Sequence, residues 1–221
     1  MVATYTQLLG ERYRGKIDEN ADKYIGYAVE GALRMQTLIQ DLLAFSRVGR
    51  SGKQHQRMEC KLAVDLALQN LQASIQESGA VISVGALPAV EGNRTQLTLL
   101  FQNMIGNAIK FRGKNQPAIQ ITAEDTSPAS NDGNWLFTVA DNGIGIAPEQ
   151  VENVFVIFKR LHTREEYPGN GIGLSICKKI IEQHGGKIWI ESQPGQGTTF
   201  KFTLPKSLAQ AEVQALAATA R

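Results

Sequence analysis

From Tyr24 onward the apolar positions fall at Ile25, Ala28, Val29, Ala32, Leu33, Met35, Leu38, Ile39, Leu42, Leu43 and Phe45. Steps of three and four dominate, so this segment is predicted as a helix with one apolar stripe that must bury against something. Residues 5–13 form a shorter helical candidate. Gly15 and the polar run Asp18-Glu19-Asn20 separate the two, which predicts a helical hairpin. Two helices do not cover so long a stripe alone, and self-association into a four-helix bundle is the simplest solution. Residues 49–56 contain two glycines and no apolar side chain; they read as a linker, with a domain boundary near Arg57.

Beyond the boundary the pattern alternates between helix and strand. Val64, Leu68, Leu71 and Ile75 mark one helix, and Leu97, Leu100, Phe101, Met104, Ile105 and Ala108 a strongly amphipathic second. A third covers 174–181. Strands are predicted at 81–84, 118–122, 135–140, 187–191 and 198–204, the last alternating Phe200, Phe202 and Leu204 with polar residues. This order predicts an α/β fold, a two-layer α/β sandwich, over residues 58–205. The hairpin and linker occupy 1–57, and an Ala- and Gln-rich tail occupies 206–221.

Composition narrows the class only slightly. Of 221 residues, 43% are hydrophobic and 20% charged, as in ordinary globular proteins. Twenty-three basic side chains against 21 acidic ones give a net charge of +2, so bulk charge supplies no reason to expect a nucleic-acid partner. No apolar run is long enough for a membrane span, and the start lacks the plan of a signal peptide. The two cysteines, Cys60 and Cys177, are far apart and in no ligand spacing; reduced thiols in a cytoplasmic protein are the expectation.

Three segments use residue types that folding alone does not require. Asp141-Asn142-Gly143-Ile144-Gly145-Ile146 follows an apolar strand directly, giving a fixed acceptor beside backbone that a ligand can approach closely. Taken alone, it is also an ordinary turn. Gly169-Asn170-Gly171-Ile172-Gly173-Leu174 opens a helix whose first amides and positive dipole end suit a phosphate, although a flexible loop has the same composition. Asn103, Asn107 and Lys110 share one face of the amphipathic helix, apart from its apolar face. Two amide oxygens and an ammonium there suit Mg²⁺ with phosphate; a solvated face is the plain alternative.

Their order and spacing resemble one superfamily. Asn103-x-x-x-Asn107-Ala108-Ile109-Lys110-Phe111, Asp141-x-Gly143-x-Gly145, Phe155-x-x-Phe158, Gly169-x-Gly171-x-Gly173-Leu174 and Gly195-x-Gly197-Thr198-x-Phe200 resemble the histidine-kinase branch of the gyrase, chaperone, histidine-kinase and MutL ATPases. The resemblance covers residues 58–205. Residues 5–48 look like that family's dimerisation hairpin, closest to bacterial phytochrome-type kinases, and residues 158–167 point to the same subgroup.

The resemblance implies an ATP-binding kinase module of a two-component sensor that uses ATP and Mg²⁺. Asp141 accepts from the adenine amino group, supported by Thr198, and Phe111 packs near the base or sugar. Gly143, Gly145 and Ile146 belong to the same nucleotide motif. Asn107 with Asn103 holds Mg²⁺, and Lys110 neutralises phosphate. Residues 159–170 form a lid, including Leu161, with Arg160 and either His162 or Arg164 reaching the γ-phosphate. Gly171 and Gly173 hinge that lid and expose amides to phosphate, and Gly169, Ile172 and Leu174 belong to the same ATP-binding motif. Phe155 and Phe158 dock the lid rather than touch ligand. The implied partners are a response regulator receiver domain and a second copy through residues 1–48.

The family's phosphoacceptor histidine, followed by an acid and then a proline, has no counterpart here. His55 lies in the linker, His162 in the lid and His184 at a helix end before Gly185-Gly186. The expectation is a shortened protein, or a reading frame begun at an internal Met, acting at most on a histidine in trans. A gyrase-like ATP hydrolase is disfavoured because Asn103 stands where those enzymes carry a water-activating glutamate. An anti-sigma-factor-type serine kinase is disfavoured by the hairpin. A non-catalytic scaffold is disfavoured by the intact Asp141, Asn107, Lys110 and glycine motifs.

Overall fold

The computed structural model describes residues 1–50, 55–127, 133–163, 166–167 and 169–206. The chain divides into two compact units, Met1–Ser46 and Arg47–Arg221, so the division falls earlier than Arg57.

The first unit is a helical hairpin of α1 (Val2–Tyr13) and α2, which spans Glu19–Arg50. Two aspartates shape its turn. Asp18 accepts from the amide of Ala21 at 2.7 Å, and the Asp22 carboxylate accepts from the amide of Gly15 at 2.8 and 2.9 Å. Gly10 of α1 faces Ile25 and Val29 of α2, where small size lets the helices approach. Much of the apolar stripe stays open: Tyr24, Tyr27, Met35, Ile39, Leu42 and Leu43 are each at least 50% exposed.

The second unit has a five-stranded sheet in the order β2-β4-β5-β7-β6. Its strands are β2 (Val81–Val84), β4 (Ala118–Asp125), β5 (Asn134–Asp141), β6 (Ile188–Gln193) and β7 (Gly197–Pro205). Only the β2–β4 pair is parallel. Registers Phe137↔Phe202 and Val139↔Phe200 align the apolar alternation of neighbouring strands on one face, and all four residues are buried. Helices α3 (Cys60–Asn70), α4 (Gln72–Ser78), α5 (Arg94–Lys110) and α6 (Gly173–Gln183) complete the two-layer α/β sandwich. Phe101 of α5 lies 6.3 and 6.1 Å from the rings of Phe137 and Phe202, which stack at 5.0 Å.

Several elements differ from expectation. The supposed linker contains the end of α2 and the first residue of β1 (Gln56–Glu59), which pairs antiparallel with β3 (Ala89–Gly92); neither strand was predicted. The helix expected through Val64 and Ile75 breaks at Leu71 into α3 and α4. A 3-10 helix, Pro148–Phe155, precedes the lid. The expected tail beyond Lys206 lies outside the described residues.

His184 ties the end of α6 to the start of α5. Its Nδ1 donates to the carbonyl of Ile180 at 2.7 Å, and its Nε2 accepts from the amide of Asn93, the N-cap of α5, at 3.1 Å. One ring nitrogen gives and the other receives, so the imidazole is neutral. Burial holds its pKa down at about 4.

Candidate functional site

The ends of β5 and α5 and the starts of β7 and α6 meet around one hollow, which encloses about 860 Å³ when its opening to solvent is counted in. Strand and helix directions alone therefore bring residues distant in sequence to one place.

Asp141 ends β5 and sits opposite Thr198 on β7. Its Oδ1 accepts from the amides of Gly143 at 2.8 Å and Thr198 at 3.1 Å. No donor among the described residues reaches Oδ2, which leaves that oxygen to a ligand. Burial raises the Asp141 pKa, and the two amides act in the opposite direction. Close approach depends on Gly197, whose φ is 91°; a Cβ there would collide with the carbonyl oxygen of Asp141.

Ser192 completes this end. Its Oγ accepts from the amide of Ile146 at 2.8 Å and donates to the carbonyl of Gly197 at 2.8 Å. Thr198 Oγ1 lies 3.0 Å from the same oxygen. With Ser192's single hydrogen committed to Gly197, Thr198 is the donor, and its own lone pairs remain for a neighbour.

Asn107, Lys110 and Phe111, at the end of α5, also line the hollow, and the Phe111 carbonyl accepts from the amide of Ile144 at 3.0 Å. The side-chain amide of Asn107 has no hydrogen-bond partner among the described residues. Lys110 Nζ lies 4.1 Å from the Phe111 ring centroid and faces Gly169, where a Cβ would sit 3.1 Å away. Burial, and then the nearby Arg160 charge, lower the Lys110 pKa to about 8. The N-cap residue of α6, Ile172, makes no side-chain cap bond, and Gly173 and Leu174 of the first turn line the hollow.

The lid starts and ends at one closed point. The amide of Phe158 donates to the carbonyl of Gly171 at 3.1 Å, with φ of 65° and 72° at the two residues. Leu161, His162, Gly169, Gly171, Gly173 and Leu174 line the hollow beside Arg160. Arg160 donates to the carbonyls of Thr163 at 3.1 Å and Tyr167 at 2.7 Å. Its guanidinium thus braces the lid, whereas the sequence reading assigned it a phosphate alone. Arg164 lies outside the described residues.

Of the other expected residues, Asp141, Gly145, Ile146 and Thr198 line the hollow, but Asn103, Gly143 and Ile172 do not. Asn103 lies a helical turn farther back. Its Nδ2 donates to the Leu99 carbonyl at 2.9 Å, and its Oδ1 packs against Gly173, where a Cβ would sit 2.7 Å away. Gly143 acts through its amide on Asp141, and Ile172 is buried core. Phe155 and Phe158 are absent from the wall, and Phe158 is 56% exposed.

Sequence reasoning quoted Ile144 and Phe200 within its motifs and placed Lys159 and Tyr167 in the lid without naming any of the four as a site residue; it missed Val154 on the wall and Ser192 behind it. Ser192 carried no signal, because its role depends on the β6–β7 register.

The family model for histidine kinase-, DNA gyrase B-, and HSP90-like ATPases matches residues 92–208. Cyanobacterial phytochrome A from Nostoc sp. (strain PCC 7120) is 52% identical over 204 residues, which is 92% of this chain and 26% of that protein. The chain therefore spans about a quarter of that relative's length. The catalytic domain of histidine kinase ThkA superposes with a TM-score of 0.58 at 29% identity, covering 70% of this chain and 97% of that one. ThkA in complex with response regulator protein TrrA gives a TM-score of 0.61 at 25% identity, covering 92% and 57% respectively. The strand-end carboxylate, the helix-face amide and the glycine-edged lid thus sit on a shared scaffold, and this chain belongs to the histidine kinase-, DNA gyrase B- and HSP90-like ATPase family, homologous to phytochrome-type histidine kinases.

Proposed function

We propose that the hollow binds Mg²⁺·ATP and that the chain is the kinase module of a two-component sensor, passing the γ-phosphoryl group to a histidine outside these 221 residues. The observation that carries this reading is the unclaimed Oδ2 of Asp141 in the same hollow as Asn107, Lys110 and the lid glycines. A carboxylate oxygen fixed from behind by two amides accepts from an exocyclic amine, which adenine has and guanine lacks at the corresponding position. Thr198 supports that contact, and Phe111 flanks the base or sugar.

Asn107 holds Mg²⁺, with its amide oxygen as a hard ligand, and Lys110 balances the phosphates. The metal's contribution is charge neutralisation on those phosphates. The first-turn amides of α6 add donors to the phosphates. Arg160 reaches the terminal phosphate by exchanging its lid carbonyls for phosphate oxygens, a bidentate match for its fork of donors. The site is thus built for positioning and charge stabilisation. With Asn103 in place of an acid and no acidic residue from Thr95 to Lys110, nothing on α5 activates water, which favours transfer to protein over hydrolysis.

The hairpin dimerises through its open stripe and presents its outer surface to a receiver domain, whose aspartate takes the phosphoryl group onward. ThkA, solved with response regulator TrrA, is the supporting precedent. A cytoplasmic location goes with that relay. Calorimetry with Mg²⁺·ATP and Mg²⁺·GTP tests the core reading: ATP binds, GTP binds far more weakly, and EDTA weakens ATP. Failure to bind ATP at millimolar concentration sinks it. Phosphate transfer to a separately supplied histidine-bearing helix tests the kinase step, and sedimentation tests the dimer.

A further inference from the structure

Tyr167 has no role of its own in the sequence reading beyond membership of the lid, yet it stands at the junction of lid, helix and cavity. Its ring centroid lies 4.9 Å from that of Phe111, the residue that ends α5, and 5.1 Å from that of His162. Phe111 and His162 are 5.9 Å apart, so the three rings form one cluster joining the lid to the helix. The backbone is committed as well. The amide of Tyr167 donates to the carbonyl of Thr163 at 3.2 Å, and its carbonyl accepts from Arg160 at 2.7 Å. The amide of Thr163 in turn donates to Glu166 at 3.1 Å.

Tyr167 also divides space. It and Lys110 line both the hollow and a second groove walled by Leu71, Ser74, Glu77 and Arg112. Removing the ring would open one hollow into the other beside Lys110.

We propose that Tyr167 is a positioning residue: it clasps the lid onto Phe111 and seals the cavity's flank, thereby setting how slowly bound nucleotide leaves. The consequence for nucleotide rests on the ATP-binding reading above; the clasp itself does not. A lid secured by ring contacts acts on dissociation more than on association, because its contacts are broken on the way out.

The test compares the wild-type chain with Tyr167→Ala, Tyr167→Phe and Phe111→Ala. Hydrogen exchange without nucleotide addresses the clasp by itself. Tyr167→Ala and Phe111→Ala are expected to speed exchange in 159–163 and 169–171 at least ~5-fold, while Tyr167→Phe keeps the wild-type rate, since the ring and not the hydroxyl makes the contacts. Stopped-flow release of a fluorescent ATP analogue then addresses the seal: Tyr167→Ala releases it about 10-fold faster with nearly unchanged association, and Tyr167→Phe restores slow release. The double variant Tyr167→Ala, Phe111→Ala should release no faster than the worse single variant. Unchanged exchange and release in Tyr167→Ala overturn the proposal, as does failure of Tyr167→Phe to rescue either. Should Tyr167→Ala not fold, Tyr167→Leu takes its place with the same expectations. A wild-type chain that binds no nucleotide but shows the exchange pattern overturns the ATP reading and the effect on release, and leaves the clasp established.

Discussion

The two ends of the hollow are built in different ways. At the Asp141 end every key group is held by backbone: two amides fix Oδ1, the β5–β7 register sets Thr198 opposite, and Ser192 ties three strand-end groups together. At the lid end the backbone bonds, Phe158 to Gly171 and Tyr167 to Thr163, and those of Arg160 stay within the loop and its feet, and ring contacts join the loop to Phe111. One end is therefore as rigid as the sheet, and the other is tied to the helix chiefly by ring contacts. Recognition of the base needs a fixed acceptor, whereas entry and release of a nucleotide need a part that moves.

The sharpest way to break this contrast is to disturb each backbone or loop device and ask whether the whole fold responds. Gly197→Ala forces a Cβ into the Asp141 carbonyl at a left-handed φ, and should cost about 3–5 kcal/mol of stability in denaturant unfolding. Arg160→Ala, at the loop end, should leave the melting temperature within about 2 °C of wild type while weakening ATP about 10-fold. Equal loss of stability in both variants would erase the distinction.

Asp141→Asn comes next. The amide oxygen keeps the two backbone bonds, so Nδ2 points a donor where an acceptor is needed. ATP affinity by calorimetry should fall about 100-fold with the fold intact.

A smaller effect separates the two asparagines. Asn107→Ala should remove most of the ~10-fold advantage that Mg²⁺ gives to ATP binding. Asn103→Ala should retain it, because the Asn103 amide is bonded to Leu99 and stands behind Gly173. Loss of the Mg²⁺ effect in both would return Asn103 to the metal site.

The smallest effect concerns Lys110, where helix meets lid. Its folded pKa lies near 8, below the ordinary lysine value, so the unfolded chain binds more protons between those two values and stability rises with pH across that window. Nucleotide affinity runs the other way: above about pH 8 the free site loses its positive charge, and binding weakens a few-fold. Lys110→Met should flatten that limb in pH-dependent calorimetry.

Much of this was legible in the sequence because it depends on local pattern. The alternation of Phe200, Phe202 and Leu204 and the spacing of Leu97, Phe101, Met104 and Ala108 predict their elements, and each of these residues is buried. Asp141 and Lys110 announced themselves by chemistry that folding does not require. The rest was hidden wherever position depends on partners far along the chain. β1 reads Gln-Arg-Met-Glu and becomes a strand only because Ala89–Gly92 lies beside it. Asn103 shares a helical face with Asn107, but only the packing of α6 shows that Gly173 covers it. Arg160 was assigned to phosphate by the family resemblance, and no spacing rule foretold its bonds to Thr163 and Tyr167.

The pairing of Phe158 with Gly171 has a consequence for how such enzymes diversify. Because the two feet of the loop are bonded to each other, the sheet meets the same pair of anchors whatever is strung between them. Residues can be added, lost or exchanged in that span at small entropic expense, since closure grows only slowly with length. On the nucleotide reading proposed above, the rate of release can thus drift between family members while the Asp141 pocket stays still, like a door rehung on an unaltered frame.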